Sequence, residues 1–150
     1  MPQSLSHIVL HLIFSTKDRF PFIGADVRAD LHAFLAGALR EAGCDGLRVG
    51  GTDDHVHLAV GFSRTLSVAQ LVADLKKSSS RWMKTQSAQL RKFAWQRGYS
   101  AFSVSPGDAN ALVEYIDGQE KHHRTRTFQD EYRAFLKKYN VEYNEAYVWD

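Results

Sequence analysis

Apolar and polar positions along the chain alternate between strand and helix periodicities. Residues 6–15, SHIVLHLIFS, are rich in β-branched and aromatic side chains and predict a strand, which Lys17, Asp18, Arg19 and Pro21 end. Val27, Leu31, Phe34, Leu35, Ala38 and Leu39 recur at helical spacing over 25–42, and Gly43 is placed to stop that helix. Two strands follow, 47–51 and 55–62, joined by Thr52, Asp53 and Asp54, a polar connection of hairpin length. Val68, Leu71, Val72 and Leu75 give a second helix from about residue 67 to beyond Trp82, and 95–104 reads as a fourth strand. The turn at Ser105, Pro106, Gly107 and Asp108 then leads into a third helix holding Leu112, Val113 and Ile116.

The order β-α-β-β-α-β-α predicts an α+β fold of ferredoxin-like plan, as in RRM domains: a four-stranded antiparallel sheet with helices on one face and an additional helix after the fourth strand. The other sheet face is expected to stay open for a ligand or partner. Phe128, Tyr132, Phe135, Leu136 and Tyr139 make one more short amphipathic helix. The tail YNVEYNEAYVWD is too aromatic to remain in water and is expected to pack on the body or on a neighbouring subunit. No repeat, low-complexity segment or linker offers a boundary, so 1–150 reads as one domain, with a core at about 5–123 and a C-terminal helix and tail at 124–150.

A chain of this length buries roughly 70% of its unfolded surface and needs no staples. With 44% hydrophobic and 24% charged residues, disordered, collagenous and rod-like classes are excluded. The single cysteine, Cys44, cannot form an internal disulfide and fits a reducing, cytoplasmic setting. The longest apolar run, 7–14, is too short for a bilayer, and neither a signal peptide nor a membrane anchor is expected.

The net charge of +2 hides a patch. Lys76, Lys77, Arg81, Lys84, Arg91, Lys92 and Arg97 occur over 76–107 without one acidic residue; removing these seven leaves the remainder at −5. Trp82, Phe93, Trp95, Tyr99 and Phe102 are interleaved with them. Cations beside aromatic faces suit single-stranded nucleic acid, and equally describe a solvated helix face whose aromatics point into the core.

Two further patterns carry possible chemistry. His55 and His57 lie two apart at the start of a strand, on one face with Cα atoms about 6.6 Å apart, a spacing from which two imidazoles can converge on a metal ion. Tyr115 and Gln119 are four apart on the third helix, which stacks a phenol that can attack over an amide oxygen that can ligate. Each alone is a weak signal: the histidines can be hydrogen-bonded surface residues and the tyrosine a core residue.

Taken together with HLIFSTKDRF in the first strand, DDHVHLAVGF, LKKSSSRW, the W-x-x-G-Y of 95–99 and VEYIDGQ, they resemble the single-tyrosine HUH-type transposases, the IS200-like family and its repeat-associated relatives. The five blocks lie within 7–119, in order. The sequence departs from the family at Asp53, where proline is frequent, and at Asp18, which interrupts a usually basic run.

The resemblance implies that His55, His57 and Gln119 hold a divalent ion, Mg²⁺ or Mn²⁺, and that Tyr115 is the nucleophile. It implies a substrate of single-stranded DNA with hairpins at the element's ends, cut and rejoined through a 5′-phosphotyrosine link, and a homodimer with composite active sites. Lys17, Arg19, Lys76, Lys77, Arg81, Lys84, Arg124 and Arg126 are the candidate phosphate contacts, with His122 and His123 near the cut. Ser78, Ser79 and Ser80 read as small contact residues, since no histidine and acid surround them. Three alternatives remain: a non-catalytic single-strand binding module, which the absence of an RNP motif disfavours; a relaxase or replication initiator, usually longer; and a domesticated relative that cuts host repeats.

Overall fold

The computed structural model describes residues 2–150. β1 (Val9–Ser15), β2 (Asp45–Gly51), β3 (His55–Gly61) and β4 (Ser100–Val104) form one antiparallel sheet in the order β2-β3-β1-β4, which is the ferredoxin-like arrangement. α1 (Ala25–Glu41) and α2 (Val68–Lys84) cover one face. Val27, Leu31, Leu35 and Leu39 of α1 and Leu71, Val72, Leu75 and Met83 of α2 meet Leu10, Leu12, Phe14, Val56, Leu58 and Val60, all buried. Each such side chain contributes about 1.5–3 kcal/mol relative to exposure. Gly43, at φ +83°, ends the turn after α1 in the left-handed region, and Ser67 caps α2 by accepting from the Gln70 amide at 3.1 Å.

The second face is not open. α3 (Ala109–Asp117) packs on β2 and β3 through Leu112 and Ile116 against Ala59, and α5 (Phe128–Lys138) sets Phe128, Tyr132 and Leu136 on Ile13 and Phe102. Trp149 of the tail adds to the α5 cluster. The physical reason lies in the strands: β1 reads VLHLIFS with every position buried, the near-continuous apolar pattern of a strand covered on both sides.

Two boundaries differ from expectation. β4 begins at Ser100, and Trp95 contributes only an isolated bridge to Thr16. The third helix ends at Asp117, because Gly118 leaves helical geometry (φ −89°, ψ 7°), and Gln119 opens a separate short helix, α4 (Gln119–His122). Tyr115 and Gln119 are therefore on consecutive helices, not one. Ion pairs anchor the two pieces separately: Arg48 reaches Asp117 at 3.1 Å, and Arg28 reaches Glu120 at 2.8 Å.

Gly50 of β2 lies opposite His57 in the ladder, and a Cβ placed on it would stand 2.6 Å from Ile116 Cγ2 and 3.0 Å from the Ile116 carbonyl. Only glycine lets α3 sit this low on the sheet. Among the described residues no helix is long and apolar enough to cross a membrane.

Candidate active site

Strand alternation puts Val56 and Leu58 into the α1/α2 core and turns His55 and His57 toward α3 and α5, where both are fully buried. Each ring is oriented through Nδ1. His55 donates Nδ1–H to Asp54 Oδ1 at 2.7 Å, with Thr52 Oγ1 at 3.2 Å, while His57 Nδ1 lies 2.7 Å from Nε2 of His11, a buried histidine two positions before Ile13 on β1. The two Nε2 atoms thus point to the same place. A carboxylate or imidazole fixing one nitrogen so that the other is presented is the usual support of a metal-ligating histidine.

That place is filled from the other side by α4 and α5. Gln119 Oε1 stands 2.9 Å from His55 Nε2 and 3.0 Å from His123 Nε2. Glu131 of α5, 1% exposed, sits at the centre. Its Oε1 is 2.9 Å from His57 Nε2 and 3.2 Å from His123 Nε2; its Oε2 accepts from Gln119 Nε2 at 3.0 Å and from the Tyr115 hydroxyl. His122 Nε2 is 3.4 Å from the same phenol oxygen. One chain therefore brings His55, His57, Gln119 and Tyr115 together.

Electrostatics follow from the burial. Desolvation holds His57 at about 4, against the pull of Glu131, so the imidazole is neutral near pH 7 and has a lone pair to offer. Burial likewise keeps His11 well below its ordinary 6.5. Burial would raise Glu131, but hydrogen bonds from His123 and His57 outweigh it and hold the carboxyl far below the usual carboxylate range. Burial and the Glu131 carboxylate together push the Tyr115 hydroxyl far above 10. With the acid so low and the phenol so high, Glu131 grips the Tyr115 proton rather than removing it.

The donor set fits a cation. With His55 donating through Nδ1, its Nε2 lone pair, Gln119 Oε1 and Glu131 Oε1 converge as acceptors with few protons between them. One ligand atom from each of His55, His57, His123 and Glu131 lies within 4.8 Å of the others.

A cleft of about 710 Å³ opens onto Tyr115 between α3 and α5, lined by Leu112, Phe135, Tyr139, Glu131, Arg126 and Lys138. Of the basic residues singled out in the sequence, Arg126 alone lines it. Lys77, Arg81 and Lys84 are exposed on α2, which packs against the opposite sheet face. Lys76 is half-buried: its ammonium donates to the carbonyls of Gln96, Arg97 and Gly98 at 2.9, 3.3 and 2.6 Å, and burial lowers it to about 8. It clasps the loop before β4. Lys17 and Arg124 are exposed, and the Arg19 guanidinium lies over Trp149. Phe93, Trp95 and Phe102 are core, and Trp95 donates to Ser79 Oγ at 2.9 Å, which accounts for one of the small serines.

Glu131, His11 and Asp54 escape the sequence reading. His11 and Asp54 lie inside the blocks HLIFSTKDRF and DDHVH, so the strand alternation could have aimed His11 at the histidine face. Glu131 carries no local signal, because nothing in the sequence tells which face of the sheet α5 covers.

The ferredoxin-like sheet thus offers a His-x-His pair to a helix-borne tyrosine. The family described as transposase IS200 like matches residues 4–119, and the chain belongs to it. Among solved structures the chain is similar to a Deinococcus radiodurans R1 protein assigned provisionally as a transposase, with TM-score 0.62 and 23% identity over 79% of this chain and 98% of that one. It is also similar to a REP-associated tyrosine transposase bound to a REP hairpin, with TM-score 0.59 and 11% identity over 82% of this chain and 72% of that one. No curated protein matches the sequence significantly.

Proposed function

We propose that this transposase cuts and rejoins single-stranded DNA by metal-assisted transesterification, with Tyr115 as nucleophile. The observation that carries the reading is the convergence of the Tyr115 hydroxyl and the Nε2 atoms of His55 and His57 on one buried spot at the end of a cleft. A binding module without catalysis gives no reason to gather a tyrosine hydroxyl and two supported histidines at the end of a cleft.

His55, His57 and Gln119 would hold the ion. When bound, it supplies Lewis-acid stabilisation of charge on the scissile phosphate and the departing 3′-oxygen. An imidazole-rich set favours Mn²⁺ over Mg²⁺. His11 and Asp54 keep the two rings oriented. For His57 to present a bare Nε2, its proton moves to Nδ1 and is donated to His11 Nε2, which burial keeps neutral and able to accept.

Tyr115 Oη forms the bond to phosphorus as the P–O3′ bond breaks; the phenol gives up its proton as it attacks and the departing 3′-oxygen takes one up, which leaves a 5′-phosphotyrosine and a free 3′-hydroxyl. The covalent link conserves the phosphoester, so a second strand's 3′-hydroxyl can displace the tyrosine without ATP. The strand enters by the α3–α5 cleft, where Arg126 and Lys138 face phosphates and Phe135 and Tyr139 offer stacking surfaces. Lys17, Arg19 and Arg124, and on the far face Lys77, Arg81 and Lys84, extend the track to a hairpin that wraps the edge of the sheet. Similarity to the hairpin-bound REP-associated transposase favours a hairpin substrate. A mobile element and a domesticated repeat-cutting enzyme would use this same chemistry.

The sequence resemblance implies a site shared between subunits. The side-chain set within one chain supports a tyrosine acting in cis, whether or not the protein dimerises. The test is incubation of the protein with labelled single strands and Mn²⁺: a denaturation-resistant protein–DNA adduct is expected, and its absence across hairpin-bearing substrates would remove the nuclease reading.

A further inference from the structure

We propose that Glu131 is part of the metal centre, its Oε1 a ligand beside His55 and His57 and its Oε2 the group that positions the Tyr115 hydroxyl, so that one carboxylate ties the ion to the nucleophile. The proposal deepens the reading of the site as a metal-dependent strand-cutting centre and rests on it.

The two oxygens are already divided in this way. Oε1 faces imidazoles, at 2.9 Å from His57 Nε2, 3.2 Å from His123 Nε2 and 3.6 Å from His55 Nε2. Oε2 faces Tyr115 and Gln119. Ligand atoms on opposite sides of one ion bound at about 2.0–2.2 Å stand roughly 4 Å apart. The mutual separations within 4.8 Å of His55, His57, His123 and Glu131 are close to that span, so small side-chain shifts suffice to close the set.

Holding α5 in place does not require this carboxylate. Thr127 caps the helix by accepting from the Asp130 amide at 3.1 Å, and Phe128, Tyr132 and Leu136 bury its apolar face on Ile13 and Phe102. Taking this ionised carboxylate out of water costs several kcal/mol, offset here by donors from Tyr115, Gln119, His57 and His123. Its place among those polar groups, apart from the apolar anchors of α5, points to chemistry rather than packing. It also lies beyond residue 119, where the family match ends, so this contribution comes from a segment the family pattern does not include. Three imidazoles with one carboxylate make a site for a borderline transition ion, Mn²⁺, Co²⁺ or Zn²⁺, in preference to Mg²⁺.

The experiment titrates the metal-stripped full chain with Mn²⁺ and Co²⁺ at pH 7.5, by calorimetry and by Co²⁺ visible absorption. Wild type is expected to bind one ion. Glu131→Gln, isosteric but uncharged, should weaken binding by tenfold or more and change the shape of the Co²⁺ spectrum. Glu131→Asp, which retracts the carboxylate by one methylene, should give an intermediate affinity; it serves in place of Glu131→Gln if circular dichroism shows that chain unfolded. A Glu131 variant that folds and keeps wild-type affinity and spectrum, while His57→Ala abolishes binding, would overturn this proposal and leave the proposed function standing. Failure of the wild type to bind either ion would overturn both.

Discussion

His11 Nε2 and His57 Nδ1 meet at 2.7 Å across the β1–β3 ladder, so one imidazole of the candidate metal pair is held by a third imidazole rather than by a carboxylate. A neutral partner orients His57 without adding negative charge to the centre. The buried charge at this centre is then that of Glu131, whose two oxygens join His57 and His123 to Tyr115.

Replacing His11 by Ala leaves His57 Nδ1 without a partner in a buried site. The cost is about 1–3 kcal/mol of stability, read as a lower urea midpoint, together with a tenfold to hundredfold loss of Mn²⁺ affinity in calorimetry. An unchanged affinity would show that His11 is packing alone.

Tyr115→Phe removes only the oxygen proposed to attack. Strand cleavage and the covalent adduct should fall by a factor on the order of 10³ or more, while binding of a fluorescein-labelled hairpin changes by no more than a few-fold. Residual cleavage near the wild-type rate would transfer the nucleophile's role to another tyrosine.

Stability of the metal-free chain should fall on acidification. The folded pKa of His57, about 4, lies below its ordinary 6.5, so between pH 6.5 and 4 the unfolded chain binds the proton that the folded one refuses. The native state loses up to about 3 kcal/mol across that window. Glu131, held low, adds a loss of the same sign below the ordinary carboxylate range as pH falls. His123 is raised: burial lowers it but Glu131 more than compensates, so its contribution is lost instead as pH rises above 6.5. Urea midpoints measured from pH 4 to 8 should peak near neutrality, and His57→Gln should flatten the acid limb.

Mixing Tyr115→Phe chains with His57→Ala chains should not restore cleavage, because each chain carries its own complete set. Recovery of about a quarter of the wild-type activity after full subunit exchange at equal amounts would establish a shared site instead.

Charge reversal at Arg126 or Lys138 should weaken binding of an oligothymidylate and reduce its salt slope by about one each. Lys76→Met should leave that slope unchanged and lower the melting temperature, since its ammonium holds loop carbonyls.

The sheet, the first two helices and the histidine pair are legible in the sequence because strand alternation and helix spacing are local. The place of the basic stretch relative to Tyr115 is not legible there, for the opposite reason. Which face of the sheet a helix covers is a tertiary fact, and α2 carries Lys77, Arg81 and Lys84 to the side away from Tyr115. The same blindness hides Glu131, whose neighbours in sequence are a capping threonine and aromatic anchors, and whose partners are 8 to 76 positions away. Gly118 is a subtler case: spacing alone puts Tyr115 and Gln119 one helical turn apart, and only the backbone geometry reveals two short helices meeting there.

Gly50 sits between the strand that carries His57 and the helix that carries Tyr115, in contact range of both. The gauge of the active site is thus a hydrogen atom where any other residue has a carbon. A single methyl group at that position is a spacer driven under α3, tilting the phenol off its station while every chemically active side chain stays in the chain. Loss of activity from such a change would carry no mark of the residues proposed to do the chemistry, and alignment of the Tyr115 hydroxyl is in this sense written into β2.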